Sequence, residues 1–177
     1  KVPESNSILA FQFLYDLFFN SKPLLLSKFI EINGFKAINQ YIIEKNNPQH
    51  IIFYQMFRPM CTEMPQNALD KPHPILNELI SLIIQTRTEK LNDNQNNDEI
   101  NQNYRYIQFS ALTQLNEAIR QFPKNQCPLQ PSNFSDLANS FKNLTDEESD
   151  SIFLLVKIFT SLSTNFDNFT PNSCIPS

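Results

Sequence analysis

Glycine is nearly absent from this chain, which contains one glycine among its 177 residues. Average usage would give about a dozen glycines in a chain of this length. Hairpin turns, phosphate-binding loops and dinucleotide-binding folds all use glycine at fixed positions. The deficit therefore predicts helices, and it argues against a nucleotide cofactor held by backbone amides. It also excludes the GxSxG motif of serine hydrolases, which needs two glycines.

Cysteine and histidine are also scarce. The two histidines, His50 and His73, belong to no metal-binding or catalytic motif, and we expect them to be surface or cap residues. The three cysteines are far apart and form no CxxC pair, which predicts free thiols in a reducing compartment. We therefore expect no metal, no cofactor and a cytoplasmic protein, with the nucleus as the alternative location.

Charged residues make up only 18% of the chain, and the net charge is −4. Lysine and arginine are scattered, so no basic patch for a nucleic-acid backbone is expected. A membrane-spanning helix needs about 20 consecutive apolar residues. The best apolar stretch, residues 8–19, is shorter and contains Gln12 and Asp16. We therefore expect neither nucleic acid nor a membrane span.

What the chain does contain is apolar residues at helical spacing, so we predict one all-α domain of about eight helices over residues 1–177. A polar, asparagine-rich segment at 92–103 is expected to be a mobile loop, and the tail at 170–177 is expected to fray. The predicted helices run from a cap at Ser5 or Ser7 to residue 20, as a pair within 23–44, and over 49–58, 74–91, 104–122, a short span from Ser132, and from Thr145 to 165.

The single glycine lies inside the predicted helix pair at 23–44. Pro23 is suited to the first turn of a helix. Gly34 is expected to end that helix, because a helix C-terminus often needs a residue with positive φ. Two short amphipathic helices cannot bury their apolar faces alone, so the rest of the chain must pack around them.

The last helix has the clearest start signal. Thr145 and Glu148 are spaced as a capping box, and the adjacent acids face the positive end of the helix dipole. Because a capped helix start is usually wet, we interpret these acids as dipole partners and not as an acid–base pair. The apolar stripe expected to enter the core consists of Ile152, Leu155, Val156, Phe159 and Leu162.

Residues 29–38, FIEINGFKAI, resemble the junction between the second and third helices of an armadillo repeat. The resemblance covers residues 6–44 as one three-helix unit, and the whole is similar to a short armadillo/HEAT-like right-handed superhelix. Such segments also occur as regulatory parts of formins and other large cytoplasmic scaffolds. The resemblance implies protein binding along a concave face lined by the last helix of each unit. In this chain that face would carry Lys36, Asn39, Gln40 and Ile43.

The first helix is apolar almost all the way round, which is typical of a helix that is buried on most sides or covered by a partner. Phe11 and Phe18 are therefore candidate partner-binding residues. Exposure of these two and of Phe13 and Phe19 would support a partner-covered surface, whereas burial of all four would remove it.

These patterns predict a non-enzymatic scaffold that presents a helical groove to a partner peptide or helix. The alternative is a regulatory helical segment of a larger multidomain protein, such as a ubiquitin-pathway enzyme or a formin-like cytoskeletal regulator, docking on a domain of its own chain. The chain starts at Lys1 without methionine, so we expect it to be part of something longer. A small helical enzyme is the third reading, and it requires a deep pocket around Cys61 or a histidine.

Overall fold

Helices account for nearly all of the computed structural model, which describes residues 4–21, 23–58, 73–92, 98–122, 129, 131–142 and 148–165. Within this part of the chain there are eight α-helices, one 3₁₀ helix and no β-strand, so the prediction of an all-α protein is confirmed. The helices are α1 (Glu4–Ser21), α2 (Pro23–Glu31), α3 (Gly34–Lys45), the 3₁₀ helix (Pro48–Ile51), α4 (Ile52–Phe57), α5 (Pro74–Asn92), α6 (Asp98–Ile119), α7 (Pro131–Ser140) and α8 (Ser149–Asn165).

Proline marks the first residue of several of these helices. These residues are Pro23 in α2, Pro48 in the 3₁₀ helix, Pro74 in α5 and Pro131 in α7. Proline is suited to this position because its fixed φ is already helical and its missing N–H would have no partner there. The predicted starts at Pro23 and Pro74 are confirmed, while α7 begins one residue before the predicted cap.

The long helices α5 and α6 pack against each other at the centre. α5 also contacts α3 and α7, while α6 contacts α8, α4 and the 3₁₀ helix. The buried face of α6 contains Ile107, Ala111, Leu115, Ala118 and Ile119. Their spacing is that of one face of a helix, as periodicity alone predicts, and Phe122, three residues after Ile119, is half-buried.

Aromatic rings join the N-terminal helices. Phe53 and Phe57 of α4 are fully buried and stack with centroids 4.4 Å apart. Phe11 and Phe18 of α1 and Phe35 of α3 approach these two rings from the sides, at centroid distances of 5.2 to 5.8 Å. This packing uses one face of α1, so the opposite face is left outside.

The turn between α2 and α3 lies where the sequence places it, but the expected role of Gly34 is wrong. Asn33 adopts the left-handed conformation, with φ of 56°, and Gly34 is the first residue of α3 without positive φ. A Cβ atom on Gly34 would lie 2.4 Å from the ring of Phe29. Glycine is therefore needed for close packing, while an asparagine, which tolerates left-handed φ, makes the turn.

The predicted polar loop at 92–103 is partly helical. α5 continues to Asn92, and α6 begins at Asp98 with two acidic residues in its first turn, where the dipole favours negative charge. Ile100 is half-buried, and its carbonyl accepts a hydrogen bond of 3.2 Å from the Asn46 side chain. This tertiary contact stabilises a helical turn in a segment that its polar composition alone predicts to be a loop. Residues 93–97, the tail at 170–177, Thr145 and the three cysteines lie outside the described residues.

The predicted core stripe of α8 is rotated relative to the observed one. Leu155 and Leu162 are buried as expected, but Ile152 and Val156 are exposed. Ser151, Leu154 and Ile158 are buried in their place, and Glu148 just before the helix is also buried, which contradicts the expected wet helix start. The buried positions follow one another at three- and four-residue steps: Glu148, Ser151, Leu155, Ile158 and Leu162. Burial of the glutamate therefore fixes the face of α8 that points into the core.

Candidate functional site

A groove of about 590 Å³ separates α1 from α3. It forms because α1 packs mainly on α2 and α4, whereas α3 packs on α5 and α2. One wall is α1, the other is α3, and the 3₁₀ helix contributes a histidine at one end. The lining residues are Asn6, Ser7, Ala10, Phe11 and Leu14 from α1, Ala37, Ile38, Tyr41 and Lys45 from α3, and His50.

The floor of the groove is apolar and consists largely of packed aromatic rings. Phe11 is buried, and its ring contacts the rings of Tyr41, His50 and Phe53 at centroid distances of 6.2, 6.0 and 5.2 Å. Leu14 and Ile38 are half-buried. Ala10 and Ala37 are exposed on the opposing helices, and their small side chains keep the groove open.

The polar groups of the groove gather at one end. Ser7 Oγ and Tyr41 Oη share a hydrogen bond of 2.6 Å. Lys45 Nζ lies 5.6 Å from the centroid of the Tyr41 ring. No aspartate or glutamate is among the described lining residues. This end of the groove therefore favours a negatively charged group on whatever binds there.

The residues of α3 that the resemblance assigned to a groove do not line this one. Lys36 and Gln40 are exposed, and Ile43 is half-buried against the core. The groove uses nearly the opposite side of α3, about 165° round the helix axis, which Ala37, Ile38, Tyr41 and Lys45 provide. The resemblance pointed to α3, but the four residues that it assigned lie on the other side of that helix from the groove.

Asn39 lies on the core side of α3, with 1% of its surface exposed. Tyr54 Oη donates to Asn39 Oδ1 across 2.5 Å, and Asn39 Nδ2 donates to the Glu78 carbonyl across 2.7 Å and to Glu78 Oε2 across 3.2 Å. The amide thus joins α3 to α4 and α5 and offers nothing to a partner. Partner binding by Asn39, which the resemblance implied, does not fit this burial.

The four phenylalanines of α1 divide evenly between core and surface. Phe11 and Phe18 are buried, at 4% and 7% exposure, and Phe18 packs on Phe29 and Phe57. Phe13 and Phe19 are exposed, at 66% and 61%. Phe11 reaches the groove only as its floor, and Phe18 is a core residue. The exposed pair shows that α1 keeps an apolar outer face.

His50 is buried between Phe11 and Tyr41, so the expectation that it is a surface or cap residue is wrong. His73 is half-buried, and its ring lies 5.7 Å from that of Phe122. No local signal marked His50 as buried, because histidine is of intermediate burial as a residue type.

A second cleft, of about 280 Å³, lies between the α2–α3 turn and the start of α5. Lys36 lines it together with Asn33, Asn77 and Glu78. Burial raises the pKa of the Glu78 carboxyl, and the charge of Lys36 and the hydrogen bond from Asn39 offset part of that rise. The cleft is less than half the volume of the groove, and its acid is already hydrogen-bonded to the core.

The described residues contain no group of three His, Cys, Asp or Glu side chains arranged to hold a metal ion. None of the helices in that part of the chain is both long and apolar enough to cross a bilayer.

Comparisons of the chain with protein-family models, with curated proteins and with solved structures found no match. The proposal of a function is therefore based on the geometry of the groove.

Proposed function

We propose that this domain is a non-enzymatic protein-interaction module that binds an apolar helix or peptide in the groove between α1 and α3. The observation that carries the proposal is the groove itself. Its buried aromatic floor lies between exposed alanines on two facing helices, and its polar groups are confined to one end. This is the arrangement used in helix-in-groove recognition, where a few apolar anchors enter a hydrophobic channel.

The size of the groove supports the same reading. Its lining extends along α1 from Asn6 to Leu14, about 12 Å of helix axis, which is room for a short segment of a partner. Leu9 and Phe13 extend the apolar surface beyond the α1 wall, with about two thirds of each side chain exposed. Adjoining exposed apolar surface of this kind is a common mark of a protein-binding site.

We further propose that α1, α2 and α3 form one armadillo-like unit, continued by the antiparallel pairing of later helices into a short HEAT-like superhelix. Three observations support this arrangement. The three N-terminal helices share one aromatic core with α4, and α3 packs on α5, which itself pairs with α6. A sharp turn at Asn33 separates the last two helices of the unit, as the resemblance requires.

The proposal is tested by placing a charge in the groove without touching the core. The variants are Ala10→Glu and Ala37→Glu, since both side chains are exposed on the groove walls. Gln40→Glu is the matched control, because it adds the same charge to an exposed position of α3 outside the groove. Immobilised wild-type and control domains should retain a common set of proteins from a native lysate, identified by mass spectrometry, and the groove variants should lose it.

Circular dichroism of all four proteins shows whether each variant keeps its helices. If folded groove variants retain the same proteins as the wild type, the groove is not the binding site and the proposal is wrong.

A further inference from the structure

The two walls of the groove run in opposite directions. Ser7 lies near the start of the α1 wall and Tyr41 near the end of the α3 wall, and their hydroxyls share a hydrogen bond of 2.6 Å. The last α1 residue of the lining, Leu14, therefore lies towards the same end as the first α3 residues, Ala37 and Ile38. One end of the groove is consequently polar, and the other end is apolar.

The polar end carries a positive charge without a counter-ion. Lys45 is exposed, and it is the only lysine, arginine, aspartate or glutamate among the described residues that line the groove. Its ammonium lies over the Tyr41 ring, and no ion pair joins it to an acid in the part of the chain that the structure describes. The preceding residue, Glu44, is exposed but does not line the groove. A cation in this position is an exception in a chain whose net charge is −4.

The length of the groove sets the size of its occupant. The lining extends from residue 6 to residue 14 on α1 and from residue 37 to residue 45 on α3, which is about 12 Å along each wall. Side chains on one face of a helix recur at three- and four-residue steps. Three consecutive side chains of such a face extend over about 10 Å of helix axis, so the groove has room for three of them.

We propose that the occupant of the groove is an amphipathic helix of a partner protein, with two apolar residues one turn apart and an aspartate or glutamate one further turn along. This inference rests on the proposed function and specifies its partner. The apolar residues enter over Phe11 and Leu14, where the small side chains of Ala10 and Ala37 leave room, and the carboxylate pairs with Lys45. Apolar burial supplies most of the affinity, whereas the acid sets the direction of the helix and selects among partners.

The charge of Lys45 selects by rejection as well as by attraction. A neutral residue in place of the acid loses one exposed ion pair, which should weaken binding about twofold to fivefold. A lysine or arginine at the same place should weaken binding further, because no acid among the described lining residues offsets its repulsion by Lys45.

Selection from a library of random 14-residue peptides, with the wild-type domain immobilised as the target, tests this preference. The enriched peptides should carry two apolar residues three or four positions apart and an acid three or four positions from one of them. Lys45→Glu should reverse the choice, so that lysine or arginine is enriched where the wild type enriches the acid.

Lys157→Glu is the matched control for this reversal. Lys157 is also exposed and also lies over an aromatic ring, that of Phe153 at 4.5 Å from its centroid, but it belongs to α8. The control should enrich the same peptides as the wild type. Circular dichroism of each variant should show unchanged helix content.

Fluorescence anisotropy of one enriched peptide measures the contribution of the charge pair. Replacing the acid of the peptide by its amide should weaken binding to the wild type about twofold to fivefold and should leave binding to Lys45→Gln unchanged. Replacing the acid by lysine should weaken binding to the wild type further, and Lys45→Glu should recover that loss.

Either of two results would overturn the inference alone: enriched peptides without a preference for an acid, or a preference that Lys45→Glu leaves unchanged. Ala10→Glu and Ala37→Glu judge the proposed function separately. If these variants lose the enriched peptides and no acid is preferred, the groove binds apolar segments and only the acidic partner is wrong. If they retain the peptides, or if the wild type enriches none, the proposed function and the inference are both wrong.

Discussion

The guanidinium of Arg87 donates a hydrogen bond to the carboxylate of Glu148 across 2.6 Å, and both side chains are almost completely buried. The same guanidinium donates through Nε to the carbonyl of Ser140 and lies 4.8 Å from the centroid of the Phe141 ring. One cation of α5 therefore contacts the C-terminal end of α7 and the residue that precedes α8. A positive charge at the end of α7 also suits its dipole.

Removing one partner of this ion pair should destabilise the protein more than removing both partners. Glu148→Gln removes the carboxylate charge beside the buried Arg87 guanidinium, and we expect a loss of about 3–5 kcal/mol in the free energy of unfolding. The double variant Arg87→Met, Glu148→Met removes both charges and should lose less than Glu148→Gln alone. Urea denaturation of the three proteins measures these differences. A double variant that is as unstable as the single one would show that packing, and not charge, dominates at this position.

Gly34 should be intolerant of the smallest side chain. Gly34→Ala places a Cβ atom against the Phe29 ring, which is held between the rings of Phe18 and Phe35 at centroid distances of 5.0 and 5.1 Å. We expect a loss of about 1–3 kcal/mol from overpacking, measured as a shift in the urea midpoint. Adding Phe29→Leu should recover part of it.

Asn33 is the informative neighbour for that experiment. Its left-handed φ of 56° is tolerated by asparagine and glycine, so Asn33→Gly should stay close to the wild type and Asn33→Ala should lose about 1–2 kcal/mol. If Gly34→Ala is as stable as the wild type, the close approach of Phe29 is not what selects glycine.

Asn39 should act on stability and not on binding. Asn39→Ala leaves the buried Tyr54 hydroxyl without its acceptor and the Glu78 carbonyl without its donor, and we expect a loss of about 1–3 kcal/mol. Tyr54→Phe in the Asn39→Ala background should cost less than it does alone, because the hydroxyl has already lost its bond to Asn39. Double-mutant thermal denaturation gives this coupling. Additive losses would indicate that the hydrogen bond contributes little.

Glu78 should make the free energy of unfolding fall as pH rises, which is opposite to the effect of most acidic groups. Burial raises the pKa of Glu78, so between the ordinary carboxyl pKa and the raised one the folded chain binds the proton more strongly than the unfolded chain. The contribution of this group to stability therefore falls as pH rises through that window.

Glu78→Gln should accordingly stabilise the domain at neutral pH, by less than about 1 kcal/mol since the side chain is only half-buried. The gain should shrink at acidic pH, where Glu78 is itself neutral. The exposed Glu44 provides the control variant Glu44→Gln. Unfolding curves at several pH values check this, and a gain that is independent of pH would argue against titration of Glu78.

The sequence could not reveal which buried positions are polar. Asn39, His50 and Glu148 are polar residues on helices or at their starts, and by composition each belongs outside. Each is buried because a group from a distant part of the chain satisfies or surrounds it: the Tyr54 hydroxyl, the ring of Phe11 and the Arg87 guanidinium. Such pairings join residues far apart in sequence, so local periodicity does not contain them.

The lining of the groove was not predictable from the sequence either, for the same reason. An all-round apolar α1 predicted a helix that is buried on most sides or covered by a partner, and the structure leaves Phe13 exposed while it buries Phe11 and Phe18. Which of its phenylalanines stay outside depends on where the α4 rings dock, and the sequence did not fix that contact. The α3 face at the groove likewise depends on the rotation that the Asn39 hydrogen bonds impose.

By itself the sequence determined the helices, because proline, capping residues and 3.6-residue spacing act within one or two turns of chain. It placed most of the breaks and the buried stripe of α6 for the same reason. Tertiary structure alone decided the rotation of α8, the helical start of α6 and the opening between α1 and α3. Those features depend on contacts such as that of Arg87 with Glu148. Such a contact stabilises the protein only after distant segments have packed together and excluded water around it.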